Sequence, residues 1–130
     1  MGFAKSFTEL RAWQEAHKYV LLVYKATDSF PAKESFGLTS QIRRAAVSIT
    51  SNIAEGFERG SKKELIQFSV IARASLSETQ NQLLLAKDLS YLKQADFNKL
   101  AGQSIVVHKL TNAFIRSLRT SSLADKHTSN

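Results

Sequence analysis

Apolar residues return at alternating steps of three and four along four stretches of this chain, the period of one buried face on a helix of 3.6 residues per turn. Leu10, Trp13, Ala16, Val20, Val23 and Tyr24 mark the first stretch, and Leu38, Ile42, Ala45, Ile49, Ile53 and Gly56 the second. Leu65, Phe68, Ala72, Leu76, Thr79, Leu83 and Ala86 mark the third, and Leu100, Ser104, Val107, Thr111, Phe114 and Leu118 the fourth. One proline and five glycines in 130 residues leave few helix breakers. Long helices joined by short turns pack beside their sequence neighbours, so the expected fold is all-α, an antiparallel up-down-up-down four-helix bundle. It should form a single domain over residues 1–119. Residues 120–130 are small and polar without periodicity, and are expected to be a disordered tail.

Local signals set the expected boundaries. Ser6-Phe7-Thr8-Glu9 and Ser61-Lys62-Lys63-Glu64 both have the S-x-x-E form of a capping box, so the first helix should start at Ser6 and the third at Ser61. Ser29-Phe30-Pro31 ends the first helix near Thr27, because proline disfavours helical geometry in the residue before it. The second helix begins between Lys33 and Leu38 and closes at Phe57 to Gly60. The third persists to about Leu89, and Asp96 is the expected N-cap of the fourth.

Composition narrows the function. The chain has no cysteine, which removes disulfides, thiol catalysis and cysteine-ligated zinc. The N-terminal stretch lacks the long apolar run of a signal peptide, and no segment is apolar enough to span a bilayer, so a cytoplasmic protein without a membrane partner is expected. No Glu-x-x-His pair exists for a di-iron bundle, and His17, His108 and His127 stand far apart, so no metal is expected. Ser90-Tyr91-Leu92-Lys93 matches S-x-x-K by chance, since its partner motifs are missing. No phosphate loop is present, and no acid, base and nucleophile converge, so the chain is expected not to be an enzyme and to need no cofactor.

A net charge of +7 favours polyanionic partners. From Lys93 onward six basic residues (Lys93, Lys99, Lys109, Arg116, Arg119, Lys126) face two acids (Asp96, Asp125), which places +4 of that charge in the last helix and tail. A second cluster, Arg59, Lys62 and Lys63, surrounds the start of the third helix, where free N–H groups and the helix dipole favour an anion. Arg43, Arg44 and Arg73 would extend this basic surface. Interleaved aromatics are missing, so the expected contact is with nucleic-acid backbone, RNA or DNA, without sequence reading. Ser51, Asn52 and Glu55 lie on or beside the polar stripe of the second helix. They are expected to be structural, pairing with adjoining helices and fixing their register.

Surplus apolar residues point to self-association. Tyr19 to Tyr24, Leu83 to Ala86 and Ile105 to Val107 wrap around their helices, whereas a helix of an isolated bundle needs only one apolar stripe. A homo-oligomer would cover the remainder.

The segment Ser48-Ile49-Thr50-Ser51-Asn52-Ile53-Ala54-Glu55-Gly56, followed by Arg59 and Ser61, resembles the signature of the small bacterial four-helix bundle proteins named for reading frames in 23S rRNA intervening sequences. Gln41 to Ala46, Phe30-Pro31 with Glu34, and Ala72-Arg73-Ala74-Ser75-Leu76 add to the likeness, which covers about Phe7 to Leu118. Thr50 stands where many members carry proline, which implies a straighter second helix here. The resemblance implies a homopentamer. It extends distantly to the accessory variability proteins of diversity-generating retroelements, which bind nucleic acid and a reverse transcriptase. Two functions are therefore carried forward: a non-enzymatic, oligomeric, nucleic-acid-binding or RNA-associated accessory factor, and a protein-protein interaction scaffold whose charge does not serve nucleic acid.

Overall fold

The computed structural model describes residues 4–121. Helix α1 spans Arg11–Thr27, α2 Leu38–Arg59, α3 Lys62–Asp88 and α4 Gln94–Thr120, with single 3₁₀ turns at Phe7–Glu9 and Ala32–Glu34. No strand occurs among the described residues. Each helix packs on its sequence neighbours and α4 closes back on α1, so α1 lies diagonally opposite α3 in an all-α, antiparallel four-helix bundle. The expected tail lies, beyond Ser121, outside the described residues.

The predicted stripes meet in one core. Ala16, Tyr19 and Val23 of α1 pack with Ile42, Ile49 and Ile53 of α2, Ala72, Leu76 and Leu83 of α3, and Leu100 and Val107 of α4. A polar bond crosses the diagonal of this core: the hydroxyls of Tyr19 and Thr79 lie 2.8 Å apart, and Thr79 Oγ1 also donates to the Leu76 carbonyl at 2.6 Å. Burial, only partly offset by the bond to Thr79, pushes the Tyr19 hydroxyl up to about 12. It stays a neutral hydrogen-bonding group at any ordinary pH.

The helix ends depart from the expected boundaries in two places. Ser6 does cap, but it caps the 3₁₀ turn: Thr8 N–H donates to Ser6 Oγ at 3.2 Å, while Glu9 accepts from the amide of Lys5. Leu10 is extended at φ −76° and ψ 126°, so α1 begins only at Arg11. At the start of α4 the N-cap is Lys93, and Asp96 falls in the first turn, where a carboxylate favours the dipole without capping. Between these helices α3 ends in a Schellman motif: Ser90 N–H donates to Lys87 O at 2.9 Å and Tyr91 N–H to Ala86 O at 2.8 Å, with Ser90 at φ 65°. A serine occupies the left-handed position that glycine usually takes, and for that reason the sharp turn was not visible in the sequence.

The α1–α2 connection is tied down by Glu34. Its Oε1 accepts from the amide of Leu38 at 2.9 Å, supplying α2 with the cap that Gly37 lacks, and its Oε2 accepts from Tyr91 Oη at 3.0 Å. These two bonds, the amide bond being the stronger influence, hold the carboxyl below the usual carboxylate range. A depressed folded-state pKa stabilises the fold above the unfolded value and loses that contribution as pH falls through the folded one. Glu34→Ala should therefore lower the melting temperature at pH 7, and the gap to the unsubstituted chain should begin to narrow only below the unfolded value of about pH 4 and keep narrowing as pH falls through the folded one. A gap that stayed constant down to pH 2.5 in thermal melts would remove this role.

Candidate nucleic-acid interface

The six predicted cations divide into two groups. Arg43 and Arg59 are held by acids. Arg43 Nε donates to Thr27 Oγ1 at 2.8 Å, and its Nη2 to Tyr24 O at 3.2 Å and to Asp28 Oδ1 at 3.0 Å, with the guanidinium stacked 4.6 Å from the Tyr24 ring centre. It closes the C-terminus of α1, where free carbonyls and the negative end of the dipole want a cation. Arg59 bridges Glu55 at 3.0 Å and Glu64 at 3.4 Å while lying over Phe68. The corner between α2 and α3 is therefore electrically quieter than its sequence suggests.

Arg44, Lys62, Lys63 and Arg73 keep their charge uncompensated by any acid among the described residues. Arg44 and Lys63 are exposed. Lys62 Nζ donates to the carbonyl of Ser121 at 3.1 Å, and Arg73 Nη1 to Asn112 Oδ1 at 3.0 Å. Both partners are neutral: Ser121 is the C-cap of α4, and Asn112 lies about two turns before it. These bonds set α3 and α4 side by side in register and bring Lys62, Lys63 and Arg73 alongside a segment of α4 that carries Lys109, Arg116 and Arg119, all exposed. Along the sequence the start of α3 and the end of α4 are separate basic regions; the antiparallel pairing makes them neighbours.

Ser61 forms the expected cap of α3, with Glu64 N–H donating to Ser61 Oγ at 3.1 Å. The Glu64 carboxylate returns to the Ser61 hydroxyl at 3.2 Å, and not to the backbone amide.

The polar stripe of α2 is placed differently from expectation. Asn52 does not reach an adjoining helix: its Nδ2 donates to Ser48 O at 2.8 Å and to Ser48 Oγ at 2.9 Å, both one turn back on α2. The link across to α3 is made by Ser48, whose hydroxyl lies 2.9 Å from that of Ser75. Asn52 thus acts on the α2–α3 contact only by orienting Ser48. Glu55 is exposed and pairs with Arg59 on its own helix, and Ser51 is exposed. Ser48 shares the polar stripe of α2, but no spacing in the sequence pairs it with Ser75 in the segment Ala72 to Leu76.

Between Ser48 and the corner the two helices approach closely at Gly56, where an added Cβ would fall 2.6 Å from Phe68 Cβ and 3.4 Å from Leu65 Cα. Thr50 bonds to Val47 O at 3.1 Å, and α2 runs unbroken through it.

Residues 8–113 match the model of the 23S rRNA-intervening sequence protein family. The chain belongs to that family. A crystal structure of a protein with unknown function from the S23 ribosomal protein family of Bacteroides thetaiotaomicron is similar to this family member at 22% identity, over 81% of this chain and 95% of that one, with a TM-score of 0.73. At that identity the likeness concerns the fold. No curated protein matches the chain.

The histidines, the Ser90-to-Lys93 segment and the apolar stretches each have a plain location in this family member. His17 stacks on Trp13 with ring centres 4.7 Å apart, and no group of three His, Asp or Glu among the described residues could hold a metal ion. Ser90 and Lys93 lie in the exposed turn between α3 and α4. No helix of the described residues is long and apolar enough to cross a membrane.

Proposed function

We propose that this family member is a non-enzymatic, oligomeric accessory protein that holds nucleic acid by its phosphates. The observation that carries this is a group of exposed cations on α2, α3 and α4 without an acid partner among the described residues, with Arg44, Lys63, Lys109, Arg116 and Arg119 among them. Positive groups left uncompensated on a surface release counterions when they meet a polyanion, which is the source of sequence-independent affinity. Oligomerisation is proposed from the apolar flanks, since Leu21 at 57%, Ile105 at 51%, and Ile71 and Leu84 at 48% are half exposed in the protomer.

The test is a titration of RNA and DNA oligonucleotides between 50 and 200 mM salt. With four to five phosphate contacts per protomer the slope of log K against log salt should be about −4. Undetectable binding at 50 mM salt, or a flat slope, would rule the mechanism out. A scaffold for another protein is the second reading, favoured by one observation: Phe36, in the α1–α2 connection, is 100% exposed. Phe36→Ser should leave nucleic-acid retention unchanged and abolish partner capture if that reading is right.

A further inference from the structure

We infer that the nucleic acid held by this protein is a duplex, gripped along its two phosphate rows by the seam between α3 and α4. This rests on the proposed function and narrows its ligand. The seam presents two lines of cations on neighbouring helices, the half-buried Lys62 and Arg73 on α3, with exposed Lys63 beside them, and the exposed Lys109, Arg116 and Arg119 on α4, and the bonds Lys62–Ser121 and Arg73–Asn112 fix their relative register. Helices in contact have axes about 8–10 Å apart, so the lines run side by side at a spacing that two backbones bordering one groove can meet.

Length agrees with this. Lys109 to Arg119 is about 15 Å of helix at 1.5 Å per residue. A duplex passes roughly nine phosphate charges in that distance, against about four for one strand, so only the duplex offers each line its own row.

The seam is also free of competing charge. Beyond Asp96, α4 carries no acid as far as Thr120, and Glu64 is held away by Arg59 and Ser61. Finally, the seam has nothing on which unpaired bases can stack. The large exposed aromatics among the described residues are Tyr24 and Phe36, on α1 and the connection after it, and Phe114 of α4 packs against the core. Proteins that grip single strands depend on stacking platforms. Without one, the seam gains nothing from a strand with splayed bases.

The experiment uses the full chain with 20-base-pair duplexes of RNA and of DNA, either of which suffices, and with their separated strands, by fluorescence anisotropy at several salt concentrations. The duplex is expected to bind at least about tenfold more tightly than either strand at 100 mM salt, where charges more than roughly 10 Å away are screened. The triple variant K109E, R116E, R119E should lose that binding and reduce the salt slope by about three. A variant of equal net charge on the outer face of α1, R11E, K18E, K25E, should change the slope by less than one, with helical circular dichroism retained in both. Equal affinity for strand and duplex would overturn the inference while leaving the proposed function standing, as would an equal loss in the α1 variant. Failure of every nucleic acid to bind would overturn both.

Discussion

Leu76→Ala is expected to lower the stability of the fold by about 3–5 kcal/mol, the largest effect of any single truncation considered for this chain. Leu76 is 0% exposed and lies in the α3 stripe, at the layer where Thr79 takes its carbonyl and the Tyr19 hydroxyl crosses from α1. Removing the side chain deletes buried methylenes and leaves a cavity walled by helices whose positions are fixed by other contacts, so collapse can recover little of the loss. For a domain of this size that corresponds to a melting temperature lower by roughly 12–20 °C. Thermal denaturation followed by circular dichroism at one fixed protein concentration measures it. A drop under about 3 °C would mean that the centre of the bundle is far softer than its burial indicates.

Gly56→Ala and Gly102→Ala should move stability in opposite directions. In a helix interior, alanine is preferred to glycine by about 1 kcal/mol, and Gly102 on α4 has nothing within 4 Å of an added Cβ, so that substitution should stabilise. At Gly56 the same methyl would stand 2.6 Å from Phe68 Cβ, a position that real side chains do not occupy, with the α3 backbone close behind at Leu65. Relief requires α2 and α3 to part, which disturbs the Ser48–Ser75 bond and the Arg59 bridge to Glu64. Overpacking of this kind costs about 1–3 kcal/mol, enough to reverse the propensity gain. If both substitutions raised the melting point, the close approach of the two helices would be refuted.

Two kinds of structural feature differ in how far they can be read from the chain. Periodic features were legible: each stripe became a core face, because a 3.6-residue repeat depends on nothing outside its own helix. Ser61 was legible as a cap for the same reason, its partner lying three residues away. What could not be read depended on partners distant in sequence. Arg43 looked like a free cation because Thr27 and Asp28, which hold it, lie across the α1–α2 connection. The pairing of Arg59 was legible, since Glu55 lies one turn before it on the same helix and Glu64 only five residues after it. Asn52 was seen as a polar residue at the edge of the buried face, but nothing in its spacing said that its amide would turn back to Ser48. The cationic seam was present in the sequence as two basic clusters some fifty residues apart, and became one surface only through antiparallel pairing.

The close α2–α3 contact also bears on how the chain reaches its fold. Only Gly60 and Ser61 separate these helices, and Gly60 already holds the left-handed turn at φ 85°. Closing so short a loop sacrifices little conformational freedom, so contacts at Gly56 and between Ser48 and Ser75 are reached early and cheaply in entropy. The hairpin is thus expected to be the natural foldon of the bundle, its amides exchanging with solvent last in native-state hydrogen exchange and those of α1 and α4 first.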